Sequence, residues 1–146
     1  MDILHALLGL AGEAGEIVDQ YKKHLFKTGR RCSRAQFLDE LGDLFYYIRI
    51  VAHLNGLAIA DIGIDSDDPL SLTELETITG INATTATLLL KWVTDAKMDI
   101  HILLAVYLGL IVRLSQLDCS LDVLTELNRI KLEDCHGWTI DKQIEP

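Results

Sequence analysis

Apolar residues recur at intervals of three and four along nearly the whole chain, and the alternation that marks strands is rare. In segment 2–27 the positions Ile3, Leu7, Leu10, Ala14, Ile17 and Tyr21 share one stripe, the period of an amphipathic helix that ends at Gly29. Ser33 is placed to cap a second helix running to about Asn55, with Gly56 as its stop. The acidic stretch Asp65 to Pro69 is the one linker-like segment. After it, Ser71-Leu72-Thr73-Glu74 reads as a capping box opening a third helix that breaks at Gly80. Further helices are expected over 83–97, 98–117 and 120–134. The pattern therefore predicts an all-α bundle built from antiparallel helix pairs, folded as a single domain over 1–146.

A second regularity runs through this pattern. Residues 47–57 align with 107–117 at an offset of 60, Tyr47 falling on Tyr107. Two readings stand: a degenerate internal duplication, or two buried helices that look alike because both are rich in Leu and Ile. At the same offset Glu40 falls on Ile100 and Asp43 on Leu103, so a second copy would lack the acidic pair of the first.

Those acids are the chief chemical signal. Glu13 and Glu16 are three apart and share a helix face, as do Glu40 and Asp43 on the next helix. A short connection allows an antiparallel hairpin that brings the pairs together. Glu40 and Asp43 also lie on the stripe that continues as Tyr47, Ile50 and Leu54, which carries the acids onto a core-facing side. Carboxylates gathered there are costly unless a cation neutralises them, and hard oxygen donors suit Mg²⁺, with Mn²⁺ as a substitute. Gly9, Gly12 and Gly15 cost about 1 kcal/mol each inside a helix, and their clustering implies close approach by another helix or a ligand. An isolated acidic pair would read as an ordinary solvated helix face; two pairs flanked by glycines favour a metal site.

Composition and charge narrow the partners. A net charge of −9 with 49% apolar residues describes a globular protein and argues against broad binding of nucleic acid. Yet Lys22, Lys23, Lys27, Arg30, Arg31 and Arg34 fall within 13 positions, a local anion site beside the acids. Metal on carboxylates next to a basic cluster is what a polyphosphate requires. Cys32, Cys119 and Cys135 form no CxxC and no disulfide framework, so free thiols in a cytoplasmic protein are expected. The longest apolar run, Ile102 to Val112, is too short to span a bilayer, and no membrane association is expected.

The residues His5 to Ile17, Lys22 to Phe26 and Asp39 to Leu44 resemble the MazG-like all-α nucleotide pyrophosphohydrolases, whose metal motif is ExxE followed by ExxD on the next helix. Residues 128–132, Asn-Arg-Ile-Lys-Leu, are similar to the family's NxxKL element. The likeness covers about 3–62 and 121–134. It implies Mg²⁺ on Glu13, Glu16, Glu40 and Asp43, these four also forming the catalytic set. It further implies hydrolysis of a (d)NTP to (d)NMP and pyrophosphate in nucleotide-pool house-cleaning, and a homodimer or higher homo-oligomer. Lys23, Lys27, Tyr47, Asn128 and Lys131 become candidates for substrate contact, Tyr47 toward base or sugar. Two alternatives remain at this stage: a phosphoribosyl-ATP pyrophosphohydrolase, and a non-catalytic helical regulatory or assembly module.

Overall fold

The computed structural model describes residues 1–26, 34–62, 72–94, 99–115 and 125–131. All regular structure in them is helical: α1 (Ile3–Phe26), α2 (Arg34–Leu54), a 3₁₀ turn (Ile59–Asp61), α3 (Glu74–Thr94), α4 (Ile100–Ser115) and a helical stretch over 125–131. The expected all-α bundle is what the chain forms.

Local chemistry sets the helix ends. Asp2 caps α1, its Oδ1 accepting from the His5 amide at 2.8 Å. At the end of α2 the amide of Gly56 bonds to the carbonyl of His53 at 2.8 Å, and that of Leu57 to Ala52 at 3.0 Å. This is a Schellman closure, and it needs the left-handed φ of +72° that Gly56 adopts. The capping box of α3 lies two residues beyond its expected place: Thr73 is the cap, its amide donating to Glu76 Oε2 at 2.7 Å. The Glu76 amide returns a bond to Thr73 Oγ1 at 3.3 Å. Asp99 caps α4 through the amide of His101 at 2.9 Å. Ser33 and Gly29 lie outside the described residues.

The predicted break at Gly80 is wrong, since α3 runs unbroken from Glu74 to Thr94. Gly80 serves a contact instead. A Cβ there would lie 3.1 and 3.2 Å from the Leu110 methyls, so the missing side chain lets α4 approach.

Four helices enclose one core in which Leu10, Ile17, Leu41, Leu44, Ile48, Ile81, Leu88, Leu104, Leu108 and Ile111 are wholly buried. α1 packs on α2 and α3, and α4 on α3 and α2. A cavity of ≈ 200 Å³ lined by Ile3, Val51, Leu88 and Ile100 fixes their directions. The start of α1, the ends of α2 and α3 and the start of α4 meet at one end of the bundle. α1 therefore runs antiparallel to α2 and to α3, and α4 antiparallel to both of those helices. That is the arrangement a local two-fold would generate from the hairpins α1–α2 and α3–α4. Asn82 Nδ2 ties the two together by donating to the Ala14 carbonyl at 3.4 Å. Tyr107, the counterpart of Tyr47, is fully buried with its hydroxyl 2.8 Å from Thr85 Oγ1.

Among the described residues no helix is long and apolar enough to cross a membrane.

Candidate metal centre

The antiparallel pairing of α1 and α2 brings the two acidic motifs to one level of the bundle. Carboxylate oxygens of Glu13, Glu40 and Asp43 lie within 4.8 Å of one another. All three side chains are half-buried. Glu16 sits outside this triad on the exposed side of α1, where its carboxyl shares a hydrogen bond with Glu40. Of the four expected ligands, three thus form the compact group and the fourth flanks it.

The electrostatic strain of this grouping is visible in its proton affinities. Burial, then repulsion from Asp43, Glu16 and Glu40, lifts the Glu13 carboxyl from 4.5 to about 7. Burial followed by the charge and hydrogen bond of Glu16 lifts Glu40 to about 7 as well. Asp43 is also raised, burial outweighing the pull of Lys131.

Lys131 and Asn128 reach the cluster from the 125–131 stretch, three residues apart on one face. Lys131 Nζ lies 2.5 Å from Asp43 Oδ2 and 3.0 Å from Asp39 Oδ2. Burial opposes the charge of Lys131, but the bonds to Asp43 and Asp39 outweigh it and hold the ammonium above its ordinary pKa. Asn128 Nδ2 donates to Asp43 Oδ1 at 2.5 Å. Asn128 is only 4% exposed, and its Oδ1 is buried with no hydrogen-bond donor among the described residues. Both oxygens of Asp43 are thereby engaged.

Tyr47 borders the same site. Its ring lies against the backbone of Gly9, where an added Cβ would fall 2.7 Å from Cδ1 and closer still to Cε1 and Cζ. Burial, then Glu13 and Asp43, raises its hydroxyl pKa. Gly9 is therefore required for close approach, as expected from the glycine cluster. At Gly12 and Gly15 no atom of the described residues lies within 4 Å of an added Cβ, so none of the described helices approaches them. Tyr46 stacks edge-on against Tyr47 with centroids 5.2 Å apart, and its buried hydroxyl has no partner among the described residues.

Of the basic cluster, the side chains of Lys22 and Lys23 are described. Lys22 and Lys23 both pair with Asp19, at 2.6 and 2.5 Å, on the outside of α1. These pairs pull the Asp19 carboxyl down to about 2. Lys27, Arg30 and Arg31 lie outside the described residues, as do the three cysteines.

Sequence reasoning missed Asp39, the second anchor of Lys131, although its place four residues before Asp43 puts it on the same face. It also gave no sign of Tyr46, which reads as core. No family model, curated protein or solved structure matches the chain.

The donor set fits a hard divalent ion. Three clustered carboxylates supply anionic oxygen, and the orphaned Asn128 Oδ1 beside them offers a neutral acceptor. Among the described residues this is the one such grouping of His, Cys, Asp and Glu. Ile100 and Leu103, which lie 60 positions after Glu40 and Asp43, are apolar and partly buried.

Proposed function

We propose that the chain is a Mg²⁺-dependent nucleoside triphosphate pyrophosphohydrolase, cleaving between the α- and β-phosphates to give a nucleoside monophosphate and pyrophosphate. The observation that carries this reading is the convergence of Glu13, Glu40 and Asp43 within 4.8 Å, with Lys131 bound to the same cluster. Resemblance to the MazG-like enzymes supplies the reaction; the geometry supports it with a metal-type donor set beside a cation.

A divalent ion bound there supplies Lewis-acid polarisation of the phosphoanhydride and lowers the pKa of the attacking water. Glu13, Glu40 and Asp43 hold and charge-balance the site. Glu16, exposed and bonded to Glu40, is assigned the part of accepting a proton from the attacking water. Lys131 offsets charge on the polyphosphate. Asn128 fixes the Asp43 carboxylate, and Tyr47 forms one wall toward the nucleoside. Lys23, paired with Asp19, is assigned a peripheral part.

Self-association belongs to the same reading. Leu4, Leu8 and Val18 form an exposed stripe on α1 at heptad-like spacing, 37%, 57% and 41% accessible, and a second copy is the partner that the resemblance implies. A cytoplasmic site of action accords with the reaction proposed.

The test is pyrophosphate release from a panel of canonical and modified nucleoside triphosphates with Mg²⁺. Release confined to Mg²⁺- or Mn²⁺-containing reactions and lost in Glu13→Gln supports the proposal. A folded protein that releases none from any substrate would leave a non-catalytic helical module as the reading.

A further inference from the structure

Asp43 is the residue on which the two halves of the site depend, because the 125–131 stretch grips both of its oxygens. The two grips differ in kind. Asn128 is neutral, short and buried, so it fixes the stretch in place. Lys131 is a cation on a four-carbon stem, and its ammonium can swing away without moving the helix that carries it. Its side chain keeps 29% exposure, which leaves room for that movement.

Charge balance then decides what happens when a divalent ion arrives. Without metal, Lys131 contributes one positive charge to a cluster that holds three carboxylates within 4.8 Å. A divalent ion contributes two at a point all three can reach, and it competes with the ammonium for the same Asp43 charge. Asn128 Oδ1 adds a second indication. It is a buried acceptor lacking a donor beside Asp43, and a hydrated cation brings O–H donors that an ammonium turned toward Oδ2 does not supply.

We propose that Lys131 is the resident counter-ion of the carboxylate cluster, and that a divalent cation binds by displacing its ammonium from Asp43, which leaves Lys131 held by the exposed Asp39 alone and open to the anionic part of the substrate. The site is thereby ordered: metal enters first, and its entry presents the cation that a polyphosphate meets. This deepens the metal-dependent reading above and rests on it, but the displacement itself involves no nucleotide.

The experiment uses the full chain and MnCl₂ alone. Calorimetric titration compares the wild type with Lys131→Met and Lys131→Arg, and circular dichroism establishes that each is folded. Removal of the competing charge is expected to tighten Mn²⁺ binding by about fivefold or more in Lys131→Met, while Lys131→Arg stays within about twofold of wild type. In parallel, the rate of Lys131 acetylation by acetic anhydride, read by peptide mass spectrometry, is expected to rise at least about threefold on saturation with Mn²⁺ as the ammonium leaves Asp43. Weaker or unchanged Mn²⁺ binding in a folded Lys131→Met, or acetylation that stays constant or falls, overturns the displacement and leaves the metal site standing. No Mn²⁺ uptake by any of the three proteins overturns both. If Lys131→Met does not fold, the acetylation measurement on the wild type decides alone.

Discussion

Replacing Glu13 by Gln should stabilise the metal-free protein, and the gain should depend on pH in a way that only a strained carboxylate produces. Glu13 ionises at about 7 in the fold against an ordinary 4.5. Between those values the folded chain holds a proton that the unfolded chain has lost, so stability falls as pH rises from about 4.5 to about 7 and is level above that. The full shift would correspond to about 3 kcal/mol. Glu13 is only half-buried, and solvent screening reduces this to roughly 1–2 kcal/mol. For a chain of this size that is on the order of 3–8 °C in Tm. Gln has the shape of Glu without the charge, so the variant should melt higher by that amount near pH 8 in EDTA. Below about pH 4, where Glu is neutral in both states, the two should melt together. Saturating Mg²⁺ should reverse the order near pH 8, since the wild type gains binding free energy and the variant has lost a ligand. Differential scanning calorimetry at the two pH values, with and without Mg²⁺, checks all three statements. Equal melting temperatures near pH 8 in EDTA, or a gain of the same size at low pH, would refute the assignment of Glu13 to a repulsive cluster.

Three other substitutions probe separate parts of the reasoning. Asp43→Asn should abolish metal uptake as Glu13→Gln does but gain less stability near pH 8 in EDTA than Glu13→Gln, because one of the two oxygens that Asn128 and Lys131 grip becomes an NH2 that cannot accept; a denaturant midpoint raised as far as that of Glu13→Gln would be the contrary result. Gly9→Ala should cost about 1–3 kcal/mol by forcing Tyr47 off α1. Gly12→Ala meets no described atom within 4 Å and should raise stability by about 0.5–1 kcal/mol, so equal effects at the two glycines in chemical denaturation would contradict the packing described. Leu8→Glu should convert a self-associating wild type to monomer in sedimentation equilibrium while the helical circular dichroism is kept; an assembly that persists places the interface elsewhere.

The fold class and the acidic site were legible because each rests on periodicity. The stripe Ile3, Leu7, Leu10, Ala14 and Ile17 predicts the buried face of α1, of which Leu7, Leu10, Ala14 and Ile17 are buried and Ile3 packs at the rim. The i,i+3 spacing of both acid pairs predicts their common face, and the hairpin makes that face shared. What failed was local punctuation. Gly80 signals a stop in sequence, yet a glycine that admits a neighbouring side chain has the same signature as one that ends a helix; only Leu110 across the interface distinguishes them. Thr73–Glu76 and Ser71–Glu74 both satisfy the capping-box spacing, and the choice between them depends on where the chain turns. Within the lysine cluster, Asp19 at i−3 and i−4 engages Lys22 and Lys23, an exposed pairing that helix spacing allowed one to foresee.

The two hairpins divide the work of stability and chemistry between them. The first holds a cluster that destabilises the metal-free fold, with Glu13 and Glu40 both raised to about 7. The second, packed in the opposite sense, carries Ile100 and Leu103 at the offset of 60 from the acids, partly buried against the core. It also seals its Tyr107 with a hydrogen bond to Thr85 where Tyr47 is left at the edge of the site. Each partly buried methylene in the second hairpin contributes up to about 0.8 kcal/mol, and none of it is set against like-charge repulsion. A bundle with acids in both hairpins would carry the repulsion twice with less apolar surface to offset it. Restricting the carboxylates to one hairpin keeps a strained site on a scaffold whose other half is plain core. A consequence is that substituting both Ile100 with Glu and Leu103 with Asp should not create a second centre: it would place two half-buried charges without the Asn128 and Lys131 grip that Asp43 has, and the expected result is a lowered melting temperature without added metal stoichiometry in calorimetric titration.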